Sequence, residues 1–160
     1  MNIATSTASA AGPARGSRLS GELPNGNAPR LLRLLLVDDS RLNRMLVTAV
    51  LTRWGIVPTI ACDGSQAVLI AERQVFDIVL MEMLMPVMDG IVATARIRQF
   101  ERENLLRVPV PIVAYTSLNL CADTERLASV GLSAVLHKPC NASSLQSCLA
   151  RWCPDKFSVN

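Results

Sequence analysis

Asp77-Ile78-Val79-Leu80-Met81-Glu82 is the stretch that decides the fold. Four apolar residues between two acids are too few for a helix, and apolar side chains would face both sides of a strand. Such a strand is buried on both faces, which is the habit of parallel sheets sandwiched between helices. Its last residue, Glu82, places a carboxylate at the carboxyl end of that strand.

Working outward, Arg33 to Asp38 runs into a continuous apolar segment that ends in two acids and reads as an earlier buried strand. Ser40 then caps a helix through Trp54, in which Leu42, Met45, Leu46, Ala49, Val50 and Trp54 recur at three- and four-residue intervals. Gly55 closes it. Val57 to Ala61 is a strand, Asp63-Gly64 a turn, and Ser65 to Gln74 a helix. Beyond Glu82, Met83 to Asp89 forms a loop stiffened by Pro86, and Asp89 caps a helix from Gly90 towards Glu103. Pro111 to Tyr115 is the fourth strand, and Asp123 to Val130 belongs to a helix closed by Gly131. Ser133 to Leu136 is the fifth strand, and Asn141 caps a last helix reaching about Trp152. The alternation calls for an α/β fold, a doubly wound five-stranded parallel sheet. Right-handed crossovers give a flavodoxin-like (βα)5 chain with strand order 2-1-3-4-5.

Composition narrows the function. The net charge of +3 is held entirely by residues 1–33, where Arg15, Arg18, Arg30 and Arg33 face Glu22 alone. Acids and bases balance from residue 34 onward, so a basic nucleic-acid-binding face is not indicated. Gly, Pro, Ser, Asn and Ala dominate through Pro29, the composition of a disordered tail. No apolar run approaches the ~18 residues that would span a membrane. Five cysteines form no C-x-x-C pair, which fits free thiols in a reducing cytoplasm, and the single histidine, His137, makes a zinc site improbable.

In doubly wound sheets ligands bind beyond the carboxyl ends of the strands. Asp38, Asp39, Glu82, Thr116 and Lys138 all fall at those ends. Taken singly, each has a plain alternative. An acid pair before a helix caps it, a strand-end threonine packs, and a Lys-Pro is a turn. Jointly, and together with Met85-Pro86 and Met88-Asp89-Gly90, they resemble the receiver domain of two-component response regulators, with residues 1–32 and 154–160 as tails around a domain at 33–153.

That resemblance implies a site. In receivers the acid pair, an acceptor aspartate and a backbone carbonyl two residues beyond it bind Mg2+. Here these correspond to Asp38, Asp39, Glu82 and Leu84. The hydroxyl that grips the phosphoryl group corresponds to Thr116, and the lysine that pairs with it to Lys138. The chain departs from the family at three places. Glu82 stands where the aspartate is expected and reaches further by roughly 1.5 Å, one carbon–carbon bond. The aromatic switch, three residues before the lysine, is Val135. Tyr115 is also bulkier than the aliphatic residue common beside the threonine.

Glu82 would lie towards the volume a phosphoryl group fills, and it carries −1 where an acyl phosphate carries closer to −2. A charge-assisted hydrogen bond contributes ~1.5–3 kcal/mol, whereas inverting a 1:99 equilibrium takes ~5.5 kcal/mol. Glu82 is therefore expected to act as a partial phospho-mimic. Two carboxylates 4 Å apart also repel by about 4 kcal/mol at an effective dielectric of 20, to be offset by Lys138, a weakly held Mg2+ or a shared proton.

The expected protein is an atypical, stand-alone response regulator that is not an enzyme and works by protein binding, independent of aspartyl phosphorylation. Its partner would be a histidine kinase, a phosphotransfer protein or a downstream effector. The expected contact surface is the fourth predicted helix, the fifth strand and the last helix, with Leu118, Leu120 and Cys121 near it. The alternative is a Mg2+-dependent phosphoryl acceptor in a histidine-to-receiver phosphorelay, using Glu82. A histidine kinase role for the chain itself is excluded, because His137 adjoins Lys138 at a strand end. A Mg2+-dependent phosphatase lacks a second nucleophile and a substrate cap.

Overall fold

A computed structural model describes residues 31–104, 108–117 and 128–157. Five strands form one sheet: β1 (Leu34–Val37), β2 (Thr59–Ala61), β3 (Ile78–Met81), β4 (Ile112–Thr116) and β5 (Ala134–His137). All neighbours are parallel and the order is β2-β1-β3-β4-β5. The doubly wound topology expected from the sequence is therefore present.

Register positions the site. Val37 lies beside Met81 and Thr116 beside His137. Asp38 and Glu82 consequently leave adjacent strands side by side, and Lys138 follows the strand next to Thr116. The Lys138 N–H donates to the Thr116 carbonyl at 2.9 Å, extending that register by one step.

Among the described residues four complete helices cover the sheet: α1 (Arg41–Arg53), α2 (Gly64–Arg73), α3 (Gly90–Glu103) and α4 (Ala142–Trp152). One apolar layer joins Leu35, Val37, Val79 and Met81 to Ala67 and Val68 of α2 and to Ala93 and Ile97 of α3. The other joins Leu34, Leu36, Leu80 and Tyr115 to Val47 and Leu51 of α1 and to Leu145 and Leu149 of α4. Each helix begins on a side-chain cap: Ser40, Asp63, Asp89 and Asn141 accept from Asn43, Gln66, Val92 and Ser144 backbone N–H groups. Gly90 opens α3 where a Cβ would lie 2.2 Å from the Glu82 carbonyl, so only glycine lets α3 start this close to β3.

Several boundaries differ from the sequence reading, with identifiable causes. Pro58 offers no N–H to a ladder, and β2 starts after it at Thr59, leaving Val57 80% exposed. Asp63 is the cap of α2, so Asp63-Gly64 belongs to the helix start and is not a separate turn. The apolar stripe expected on α1 is the largest correction. Leu42, Met45 and Leu46 are mostly exposed and so is Ala49, while Val47 and Leu51 are buried. The helix is apolar around most of its girth, so two phases of the same period fit, and sheet packing selects the one through Val47, Leu51 and Trp54.

Residues 1–30 and most of the helix expected over Asp123 to Val130 lie outside the described residues, as do Leu118, Leu120 and Cys121. Ala128 to Val130 is helical, and Gly131 follows at φ +93°. At the amino end of the sheet Asp77 accepts from Arg33 and Lys156. The Phe157 ring meets Trp54 edge-on at 5.4 Å, so the chain beyond residue 153 still packs against α1. Trp54 and Trp152 both pack on the α1/α4 layer.

Candidate functional site

Glu82 emerges from the end of β3 into a ring of donors. Its Oε1 accepts the backbone N–H groups of Met83 at 2.7 Å and Leu84 at 3.1 Å, and the Thr116 hydroxyl at 2.7 Å. Its Oε2 accepts the Lys138 ammonium, which also bonds Asp38 Oδ2. The residue is only 6% exposed. Burial alone would raise its pKa, but the hydrogen bonds from Lys138, Thr116 and Leu84, with the charge of Lys138, outweigh burial and leave it below its ordinary value.

Asp38 is fully buried. Its Oδ1 accepts the Ser40 N–H at 2.8 Å and the Asn43 amide at 3.3 Å. Arg44 closes the back of the site, donating to the Asp38 and Asp39 carbonyls at 2.7 and 2.9 Å. The lysine ammonium thus balances two carboxylates whose oxygens all have donors, a satisfied buried network.

The structure brings Asp38, Glu82, Thr116 and Lys138 together. Leu84 joins through its N–H, with its side chain 61% exposed. Asp39 is exposed, and among the described residues no three acids, histidines or cysteines are gathered closely enough to hold a metal. Mg2+ keeps much of its water shell and is bound through one or two carboxylates. Asp38 and Glu82 meet that need in kind, with the Lys138 ammonium between them.

Val135 is half-buried in the α2/α3 layer. The aromatic ring at the site instead belongs to Tyr115, in the α1/α4 layer, whose centroid lies 4.7 Å from Lys138 Nζ. Burial, aided by the neighbouring Cys140, Asp38 and Glu82, pushes the Tyr115 phenol pKa up. Sequence reasoning passed over Asn43, Arg44 and Cys140, and saw in Tyr115 only its bulk. Asn43 and Arg44 were findable, since a helix capped at Ser40 turns its first residues back towards Asp38. A cleft of about 630 Å3 runs from Glu82 and Lys138 past Tyr115 to Leu46, Val47 and Leu145.

With the geometry in place, the comparisons decide the family. The sequence model of the response regulator receiver domain matches residues 34–150. The chain belongs to the response regulator receiver domain family. The receiver is 34% identical over 123 residues to sensor protein GacS of Pseudomonas syringae pv. syringae, covering 77% of this chain and 14% of that protein. It is 31% identical over 126 residues to transcription factor SKN7 of Saccharomyces cerevisiae, covering 79% and 19%. The receiver therefore spans less than a fifth of the length of either relative. Among solved structures, the receiver domain of the Pseudomonas aeruginosa sensor histidine kinase PA1611, with magnesium in its active-site cleft, is 38% identical (TM-score 0.67, 77% and 98% covered). A complex of the S. cerevisiae phosphotransfer protein Ypd1 with the Ssk1 receiver matches at 28% identity (TM-score 0.72, 81% and 94% covered).

Receivers are signalling modules of two-component systems, and the described residues of this one form the five-stranded parallel sheet of that fold, in the order 2-1-3-4-5. Among the described residues no helix is long and apolar enough to cross a membrane.

Proposed function

We propose that this is an atypical receiver that signals through protein binding, without aspartyl phosphorylation, because Glu82 occupies the acceptor position and fills the phosphoryl site itself. One observation carries the reading: Glu82 Oε1 accepts from Met83, Leu84 and Thr116 while Oε2 accepts from Lys138. Backbone N–H groups, a hydroxyl and an ammonium are the donors a phosphoryl group would need. One carboxylate already engages all four.

Attack on a phosphodonor would require one of those oxygens to leave its donors, at a cost of about 1.5–3 kcal/mol for each charged hydrogen bond broken. This disfavours the alternative, in which Glu82 accepts phosphate within a phosphorelay. A weakly held Mg2+, taken by Asp38 and Glu82 with Asp39 and the Leu84 carbonyl beside them, would neutralise carboxylate charge. Lys138 performs that task within the chain itself.

The partner we favour is a histidine phosphotransfer protein or a histidine kinase, and the setting is the cytoplasm. The Ssk1 receiver is solved with such a phosphotransfer protein. In this chain the exposed Leu42, Met45 and Leu46 of α1, with Leu84, supply apolar surface beside the carboxylates. We therefore favour α1 as the contact surface over the fourth predicted helix, the fifth strand and the last helix.

The test is intact mass after incubation with a small phosphodonor and Mg2+. Wild type should remain unmodified, while Glu82→Asp, with room restored beneath the donors, should gain one phosphoryl group. A labelled wild type with the group mapped to Glu82 would establish the phosphorelay alternative instead.

A further inference from the structure

We infer that Tyr115 is a positioning residue that seats Lys138 between Asp38 and Glu82, making the lysine the site's resident cation, which a divalent ion must displace in order to bind. This goes beyond the reading above and holds whether or not Glu82 accepts phosphate.

Three observations meet here. The Lys138 side chain is 10% exposed and bonds both carboxylates. The Tyr115 centroid lies 4.7 Å from Nζ, within range for an ammonium held by an aromatic face. Tyr115 is itself fixed, since it is 5% exposed, pairs with Leu136 in the sheet and packs in the layer between α1 and α4. The ring therefore has no freedom to leave the ammonium. An aliphatic residue there would fill the layer between α1 and α4 but offer no negative face.

A cation between two carboxylates does electrostatically what a bound divalent ion would do. Both cannot stand in the same place, because Asp38 Oδ2 and Glu82 Oε2 are the oxygens the lysine takes. Loosening Lys138 should accordingly free them. Tyr115→Leu removes the aromatic face, and Tyr115→Phe keeps it while removing only the hydroxyl.

The chain has two lysines, Lys138 and Lys156, and one tyrosine, so lysine side-chain NMR of the full-length protein is simple to assign. In wild type and Tyr115→Phe the Lys138 ε-methylene and ammonium protons should be shifted upfield by the ring, with Lys156 as internal reference. Tyr115→Leu should lose that shift. Titration with MgCl2, followed by calorimetry and by these signals, should give about threefold or tighter binding in Tyr115→Leu than in wild type or Tyr115→Phe. In wild type the upfield shift should collapse in step with binding. Binding to Tyr115→Leu alone also supports the assignment. Unshifted Lys138 protons in wild type overturn it, as does Mg2+ that saturates wild type with those signals unmoved. Equal binding by all three proteins, or by none, overturns it too. Should Tyr115→Leu fail to fold, the wild-type and Tyr115→Phe spectra decide alone.

Discussion

Thr116 donates its hydroxyl proton to Glu82 Oε1 at 2.7 Å, joining the carboxyl ends of β4 and β3 through side chains. Thr116 is fully buried, so the bond is shielded from water. Thr116→Val keeps the shape and removes the donor. A hydrogen bond to a charged group contributes about 1.5–3 kcal/mol, and urea unfolding of Thr116→Val should show a loss in that range. An unchanged midpoint would mean that Glu82 does not depend on Thr116.

The same carboxylate sets part of the acid response. Its pKa is lower in the folded protein than its ordinary value of 4.5. A depressed carboxyl contributes stability that is present above the unfolded pKa and is lost as pH falls through the folded one. Asp77 behaves likewise at the other end of the sheet: burial opposes ionisation, but hydrogen bonds from Arg33 and Lys156 bring it from 3.8 down to about 2. Asp77→Asn should therefore flatten the loss of stability between about pH 4 and 2, and Glu82→Gln the loss just below 4.5, in thermal melts against pH. Wild-type slopes retained in both variants would contradict these assignments.

Residues that bury on both faces of a strand were legible without structure. Ile78 to Met81 and Leu34 to Val37 read as doubly buried strands, right-handed crossovers ordered the sheet, and strand ends together with the receiver resemblance implied the meeting of Asp38, Glu82, Thr116 and Lys138. The phase of α1 was not legible, because Leu42, Met45 and Leu46 are as apolar as Val47 and Leu51, and only the sheet distinguishes them. Nor could sequence show that Tyr115 touches Lys138. Their contact depends on β4–β5 register and on a side-chain direction that spacing does not report.

On the proposed reading, that exposed phase makes α1 a contact surface separable from folding. Leu42→Glu and Leu46→Glu replace side chains 65% and 59% exposed. Each should change folding stability by no more than about 0.5 kcal/mol. Both should abolish binding to a histidine phosphotransfer partner in a calorimetric titration. Retained binding would move the contact surface elsewhere.

Val87, in the loop after β3, has φ +69° although it is β-branched, and it is 87% exposed. Left-handed backbone costs such a residue roughly 1–2 kcal/mol, partly offset by the greater flexibility glycine brings to the unfolded chain. Val87→Gly should raise stability by up to about 1 kcal/mol in denaturant titrations. A destabilised variant would show that the loop does not carry this strain.

The central claim is that Glu82 holds the donors of the phosphoryl site in its own carboxylate. Amide chemical shifts of Met83, Leu84 and the β4 and β5 ends should be compared in wild type, in Glu82→Asp, and in Glu82→Asp loaded with beryllofluoride, a phosphoryl mimic. The account predicts that wild-type shifts lie along the line from the unloaded to the loaded aspartate form, displaced towards the loaded end. Wild-type shifts coinciding with unloaded Glu82→Asp would contradict it.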